Sequence, residues 1–87
     1  MLEEIKKIQG ISNNEFDIII QNYINSCILD LKTIGIVENT VKEEDSLIHT
    51  AILTYALSFL DVNNSEMYSN SYNLQKDILR HLSEYTK

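Results

Sequence analysis

The chain contains no proline, two glycines, one cysteine, and only seven Lys and Arg against thirteen Asp and Glu. Each scarcity excludes something. With glycine only at Gly10 and Gly35 and no proline, the tight turns of a many-stranded β fold lack their usual residues, so helices joined by short polar loops are favoured. A single cysteine, Cys27, makes no intrachain disulfide, and on an apolar helical face a reduced thiol acts as a small hydrophobe. A net charge of −6 gives no basic footprint for a free-standing nucleic-acid binder. It suits solubility or a partner with a basic patch. The opening Met1-Leu2-Glu3-Glu4 is acidic and does not read as a signal peptide, which points to a cytoplasmic chain.

Chemistry-bearing motifs are equally scarce. His49 and His81 are distant in sequence, and with one cysteine they make no zinc ligand set. There is no glycine-rich phosphate loop, nucleophile elbow or His-Glu-x-x-His pattern. Asp61, Asn63 and Ser65 open like a calcium loop, but its sixth and twelfth positions hold Glu66 and Tyr72 where glycine and a bidentate acid are needed. The acidic runs Glu3-Glu4 and Glu43-Glu44-Asp45 fall at helix starts, where they match the helix dipole. A helix-turn-helix reader would need arginine or lysine on its recognition helix, and the central apolar helix has neither. The sequence therefore offers no catalytic, cofactor-binding or metal-binding residues.

What the chain does have is the run Ser46 to Leu60, SLIHTAILTYALSFL, with no Asp, Glu, Lys or Arg. As a helix it spans about 22 Å, short of a ~30 Å hydrocarbon core, so it reads as a buried helix of a water-soluble domain and not as a membrane span. Ile48, Ala51, Ile52, Tyr55, Ala56 and Phe59 share one broad face, while Leu53, Leu57 and Leu60 form a second stripe. A small domain covers one such face with its own chain. The second is a candidate contact surface, unless the first short helix covers it.

Three further helices flank this run. Leu2, Ile5 and Ile8 line one side of a short first helix, supported by Glu3 and Lys7 at i, i+4 spacing and ended by Gly10. Ser12 and Glu15 are spaced as a capping box, with Ile11 and Phe16 as a hydrophobic staple, predicting a helix from there to about Ile34. Its core face is Phe16, Ile20, Tyr23, Ile24, Cys27, Leu31 and Ile34; Gly35 with Ile36 predicts a Schellman stop. Ile18 and Leu29 lie off that stripe and are further candidates for a contact surface. Ile36 to Glu44 reads as a connection, and Asp45 as the N-cap of the apolar helix. Asn63 with Glu66 suggests the start of a last helix from about Ser65 to Tyr85. Met67, Leu74, Ile78, Leu82 and Tyr85 would form its core face, widened by Tyr68, Tyr72 and Leu79. The fold class is all-α: one domain over residues 1–87, a small bundle of a short N-terminal helix and three longer ones.

In that order and spacing, the segments Leu2–Lys7, Ile11-Ser12, Leu31–Ile36, Asp45–Tyr55 and Tyr72–Leu82 carry a family resemblance. The most telling is Asp45–Tyr55, which follows a D-x-L-I-x-x-A-I-x-x-Y pattern. The chain resembles the small head–tail connector (head-completion or DNA-packaging adaptor) proteins of long-tailed bacteriophages. Ser46 stands where many of that family carry proline, and serine suits a first helical turn. The resemblance implies a structural protein without catalysis, at the head–tail junction of the virion and made in the bacterial host cytoplasm. It implies a ring of copies under the portal, touching the portal and a head-closure or tail-side protein. DNA would pass through the channel without specific binding. A ring needs a heterologous contact, which would use the unpartnered apolar residues. The alternative is a small acidic binding module, of antitoxin or anti-repressor type, that sequesters a basic partner.

Overall fold

The computed structural model describes residues 1–36 and 45–86. Among these the chain forms four α-helices: α1 (Leu2–Gln9), α2 (Asp17–Thr33), α3 (Ser46–Leu60) and α4 (Ser65–His81), with a 3₁₀ turn at Val62–Asn64. The expected all-α arrangement of one short and three longer helices is what the chain adopts. Beyond Ile36, the expected connection to Glu44 lies outside the described residues.

The core is organised around α3. Ile48, Ala51, Ile52, Thr54, Ala56 and Leu57 are buried, and these positions run right round the helix. An element apolar on all sides is stable only when neighbours cover it on all sides. Here α1, α2 and α4 each pack on α3. Hydroxyls of α3 bond back to its own carbonyls: Thr54 Oγ1 donates to Thr50 O at 2.7 Å, and Ser58 Oγ to Tyr55 O at 2.6 Å. Thr54 Oγ1 also accepts from Gln75 Nε2 at 3.2 Å, and Ser65 Oγ donates to Ser58 O at 2.7 Å. These cross-links pair the end of α3 with the start of α4, so the two helices run antiparallel.

The helix ends follow from local chemistry. Gly10 and Gly35 hold left-handed φ values of 71° and 97°, the conformation that glycine reaches without a Cβ penalty. Each closes a Schellman pair: Ile11 N to Lys6 O with Gly10 N to Lys7 O, and Ile36 N to Leu31 O with Gly35 N to Lys32 O. Asp45 caps α3 as expected, its Oδ1 accepting from Leu47 N at 3.0 Å and Ile48 N at 3.1 Å.

Two expected starts are corrected. The helix after Gly10 begins at Asp17, not at a Ser12 capping box, and residues 13–16 form bends and turns. The Asn13 carboxamide takes the Glu15 N–H at 3.0 Å, an Asx turn that competes with helix. Lys6, buried in α1, reaches Asp17 Oδ1 at 2.9 Å and Asn14 Oδ1 at 3.0 Å and fixes this turn against α1. Ahead of α4 the N-cap is Asn64, without a side-chain capping bond, not Asn63, and Asp61 caps the preceding 3₁₀ turn, its Oδ1 accepting from Asn64 N at 3.3 Å. At the other end α4 stops at His81, short of Tyr85. The residues that follow turn back, Tyr85 buries its ring in the core, and Thr86 makes an antiparallel bridge with Ile36.

Candidate interaction surface

The core side of α2 holds Ile20, Ile24, Cys27 and Leu31 at nearly zero exposure. Ile18 and Leu29, eleven residues apart and so within about 20° of each other, project from the opposite side. They are 78 % and 63 % exposed. Both therefore stand where the off-stripe spacing placed them, on solvent.

The central-helix stripe is distributed differently. Leu57 is only 4 % exposed within the single chain, and Leu53 and Leu60 are partly buried and packed against the core. This follows from the position of α3 inside the bundle: the side away from its broad apolar face also meets neighbours. Conversely Phe59, expected on the core face, is half exposed near the helix end, where it stacks on Tyr23 with ring centroids 4.8 Å apart. Phe16, expected as a staple, is exposed as well, because the helix it was to brace starts after it.

The largest correction concerns α4. Its buried residues are Tyr72 and Leu79, while Met67, Leu74 and Ile78 face outward, Leu74 at 67 % exposure. At 100° per residue Met67, Leu74 and Ile78 fall within about 40° of one another and about 130° from Tyr72 and Leu79. The helix thus carries two apolar lines: Met67, Leu74 and Ile78 of the expected main face are on the surface, while Tyr72 and Leu79, expected only to widen that face, are the buried ones. Periodicity finds both lines but does not say which one is covered. The signal that could have decided it is polar: on the buried side Tyr72 has partners for its hydroxyl on α2.

Those partners form a small clasp between α2 and α4. Tyr72 donates to Asp30 Oδ2 at 2.7 Å, Lys76 Nζ lies 3.2 Å from the same oxygen, and Cys27 Sγ sits 3.6 Å from the Tyr72 hydroxyl. Lys76 Nζ also lies 5.0 Å above the Tyr72 ring, a cation–π contact. Burial pushes the Cys27 thiol up to about 12, and burial with the Asp30 carboxylate raises the Tyr72 phenol well above its ordinary value. Neither group supplies a nucleophile or base near neutral pH, so the clasp serves packing. Beside it, an open groove of about 610 Å³ runs between the end of α2 and α4, with Ile34, Leu74, Lys76 and Arg80 among its walls.

Among the described residues no group of His, Cys, Asp or Glu could hold a metal ion, and no helix is long and apolar enough to cross a membrane. What the surface offers is exposed apolar residues on the outer parts of α2 and α4. These exposed apolar residues are candidates for an interaction surface.

No curated protein and no solved structure matches the chain. The family described as phage connector protein matches residues 1–83, nearly its whole length. The chain therefore belongs to the phage connector protein family.

Proposed function

We propose that this protein assembles as a closed ring of identical subunits beneath the portal of a phage capsid, extends the DNA channel there, and offers its far side to a head-closure or tail-side protein. Family membership supports a head–tail joining role, and the family is a structural, typically non-enzymatic one. The observation that carries the assembly reading is the pair of outward apolar faces. Ile18 and Leu29 on α2 and Met67, Leu74 and Ile78 on α4 are exposed apolar residues on two different helices of one subunit. A heterologous contact, repeated by rotation, needs two different surfaces. Fully burying one such side chain contributes roughly 1.5–3 kcal/mol, so a few of them together sustain a contact. Leu53 and Leu60, partly buried, lie at the margin of this reading; Leu57 contributes to the subunit's own packing. The acidic balance of the chain suits a channel wall that DNA slides past, since carboxylates repel phosphates. The virion is then the site of action, with synthesis in the host cytoplasm.

The test is sedimentation of the purified chain over a wide concentration range, alone and mixed with its cognate portal, with negative-stain microscopy of the heaviest species. Rings with a central hole, in either condition, are the expected result. Ile18→Asp and Leu74→Asp are expected to keep the helical circular dichroism and lose the rings. A discrete dimer or one-to-one complex with no larger species would replace this reading by the sequestering module. A monomer that ignores the portal would remove it.

A further inference from the structure

The C-terminal turn makes two separate attachments that bracket the same stretch of chain. The Tyr85 hydroxyl lies 3.0 and 2.9 Å from the two carboxylate oxygens of Asp45, and Thr86 bridges Ile36. Ile36 and Asp45 are the residues on either side of positions 37–44, the connection between α2 and α3. Asp45 is at the same time the N-cap of α3, and one of its oxygens, Oδ1, serves the Leu47 and Ile48 amides as well as Tyr85. The Tyr85 ring belongs to the core cluster, yet the segment that carries it is short: Leu82 N to Leu79 O and Tyr85 N to Leu82 O are its own turn hydrogen bonds.

We infer that residues 82–86 act as a detachable strap, which fastens to Ile36 and Asp45 and holds the Asp45 carboxylate in capping position. The strap makes the first turn of α3 conditional on the C-terminus being folded back. The single hydroxyl proton, shared between the two oxygens, restricts rotation of the carboxylate about its side-chain torsion, so the orientation that meets two amide donors is fixed in advance. The hydrogen bond also raises the tyrosine phenol above its ordinary value, as expected when the acceptor is a charged carboxylate. Because the strap rests on the Tyr85 ring, the partly buried Leu82, one bridge and one hydroxyl, it opens as a local unit, ahead of the α3–α4 pair. By linkage, any partner that holds residues 82–86 in detached form loosens the α3 cap, and any contact that immobilises the α3 cap favours the folded strap. Tyr85 is in this sense a positioning residue: it acts through Asp45.

Amide hydrogen exchange of the full chain, read by NMR, tests the strap. In Tyr85→Phe, which keeps the ring and removes the hydroxyl, exchange at Leu47 and Ile48 is expected to accelerate about tenfold, the size of one lost hydrogen bond. Ile24, Cys27 and Ile52 are expected to keep their rates. In an Asp45→Ala background, Tyr85→Phe is expected to add nothing at Leu47 and Ile48, because the acceptor is already gone. Uniform acceleration across all helices would make Tyr85 an ordinary core residue and overturn the inference. So would unchanged rates at Leu47 and Ile48, or equal effects of Tyr85→Phe with and without Asp45. The measurement is made on the isolated chain, so it does not depend on ring formation.

Discussion

At the scale of single residues, burial separates side chains that a hydropathy scale treats alike. Leu57 and Leu74 are both leucines on apolar helix stripes, but one is enclosed and the other faces solvent. Leu57→Ala is expected to cost about 2–5 kcal/mol in urea unfolding, the usual range for a leucine cut back in a core. Leu74→Ala is expected to stay within about 0.5 kcal/mol of the parent, as surface changes do. Cys27 gives a chemical counterpart. With its thiol pushed up to about 12 by burial, native protein at pH 8 is expected to react with a thiol reagent at least a hundredfold more slowly than protein in denaturant. Equal rates in the two states would show that the thiol is open to solvent. Lys6 is a residue whose role sequence alone hid: a cation on the core side of α1 looks like a surface charge until Asp17 and Asn14 are seen around its ammonium. Nothing in a one-dimensional pattern brings Asp17 back to α1, because that contact depends on the turn at 13–16.

At the scale of helices, boundaries were legible wherever one local interaction decides them. The α3 limits, Ser46 and Leu60, are those read from an aspartate cap and an uncharged run; Gly10 and Gly35 end their helices because a left-handed residue stops the ladder. Gly35→Ala, forced into a φ of 97°, is expected to lower stability by about 1–2 kcal/mol, and Asp45→Ala by about 1 kcal/mol; thermal or urea melts check both. Boundaries were lost where two local interactions compete. Ser12 and Glu15 have the spacing of a capping box, but the Asn13 carboxamide reaches the Glu15 amide first. Faces were lost in α4 for another reason. Met67, Leu74 and Ile78 recur as regularly as Tyr72 and Leu79, and the choice between the lines is made by how α2 and α3 pack on α4, which the periodicity of α4 alone does not record. The same distinction governs the candidate surface. The exposure of Ile18 and Leu29 was legible because α2 has one dominant stripe from which they depart, whereas α4 has two.

At the scale of the whole molecule, charge and burial set the pH range of the fold. Burial raises the Asp45 carboxyl, but the Ile48 amide, the Tyr85 hydroxyl and the Leu47 amide together outweigh it and hold it below the ordinary value. Its contribution is therefore present above the unfolded value of about 3.9 and lost as pH falls through the lower folded value. Tyr72 and Tyr85 are shifted the other way, so their contribution is complete below the unfolded phenol value of about 10 and lost as pH rises beyond it. Urea midpoints between pH 3 and pH 11 are expected to trace a plateau that falls at both ends, and Tyr72→Phe is expected to flatten the alkaline fall. A midpoint that keeps rising above pH 10 would show that the tyrosines are not held neutral by the fold. The central position of α3 has one more consequence, for synthesis on the ribosome. Ile20, Ile24, Cys27 and Leu31 are finished early, but the helix they pack on is complete only at Leu60. Until then the nascent chain has no interior to fold around, and a peptide released before that point is a substrate for the host's proteases.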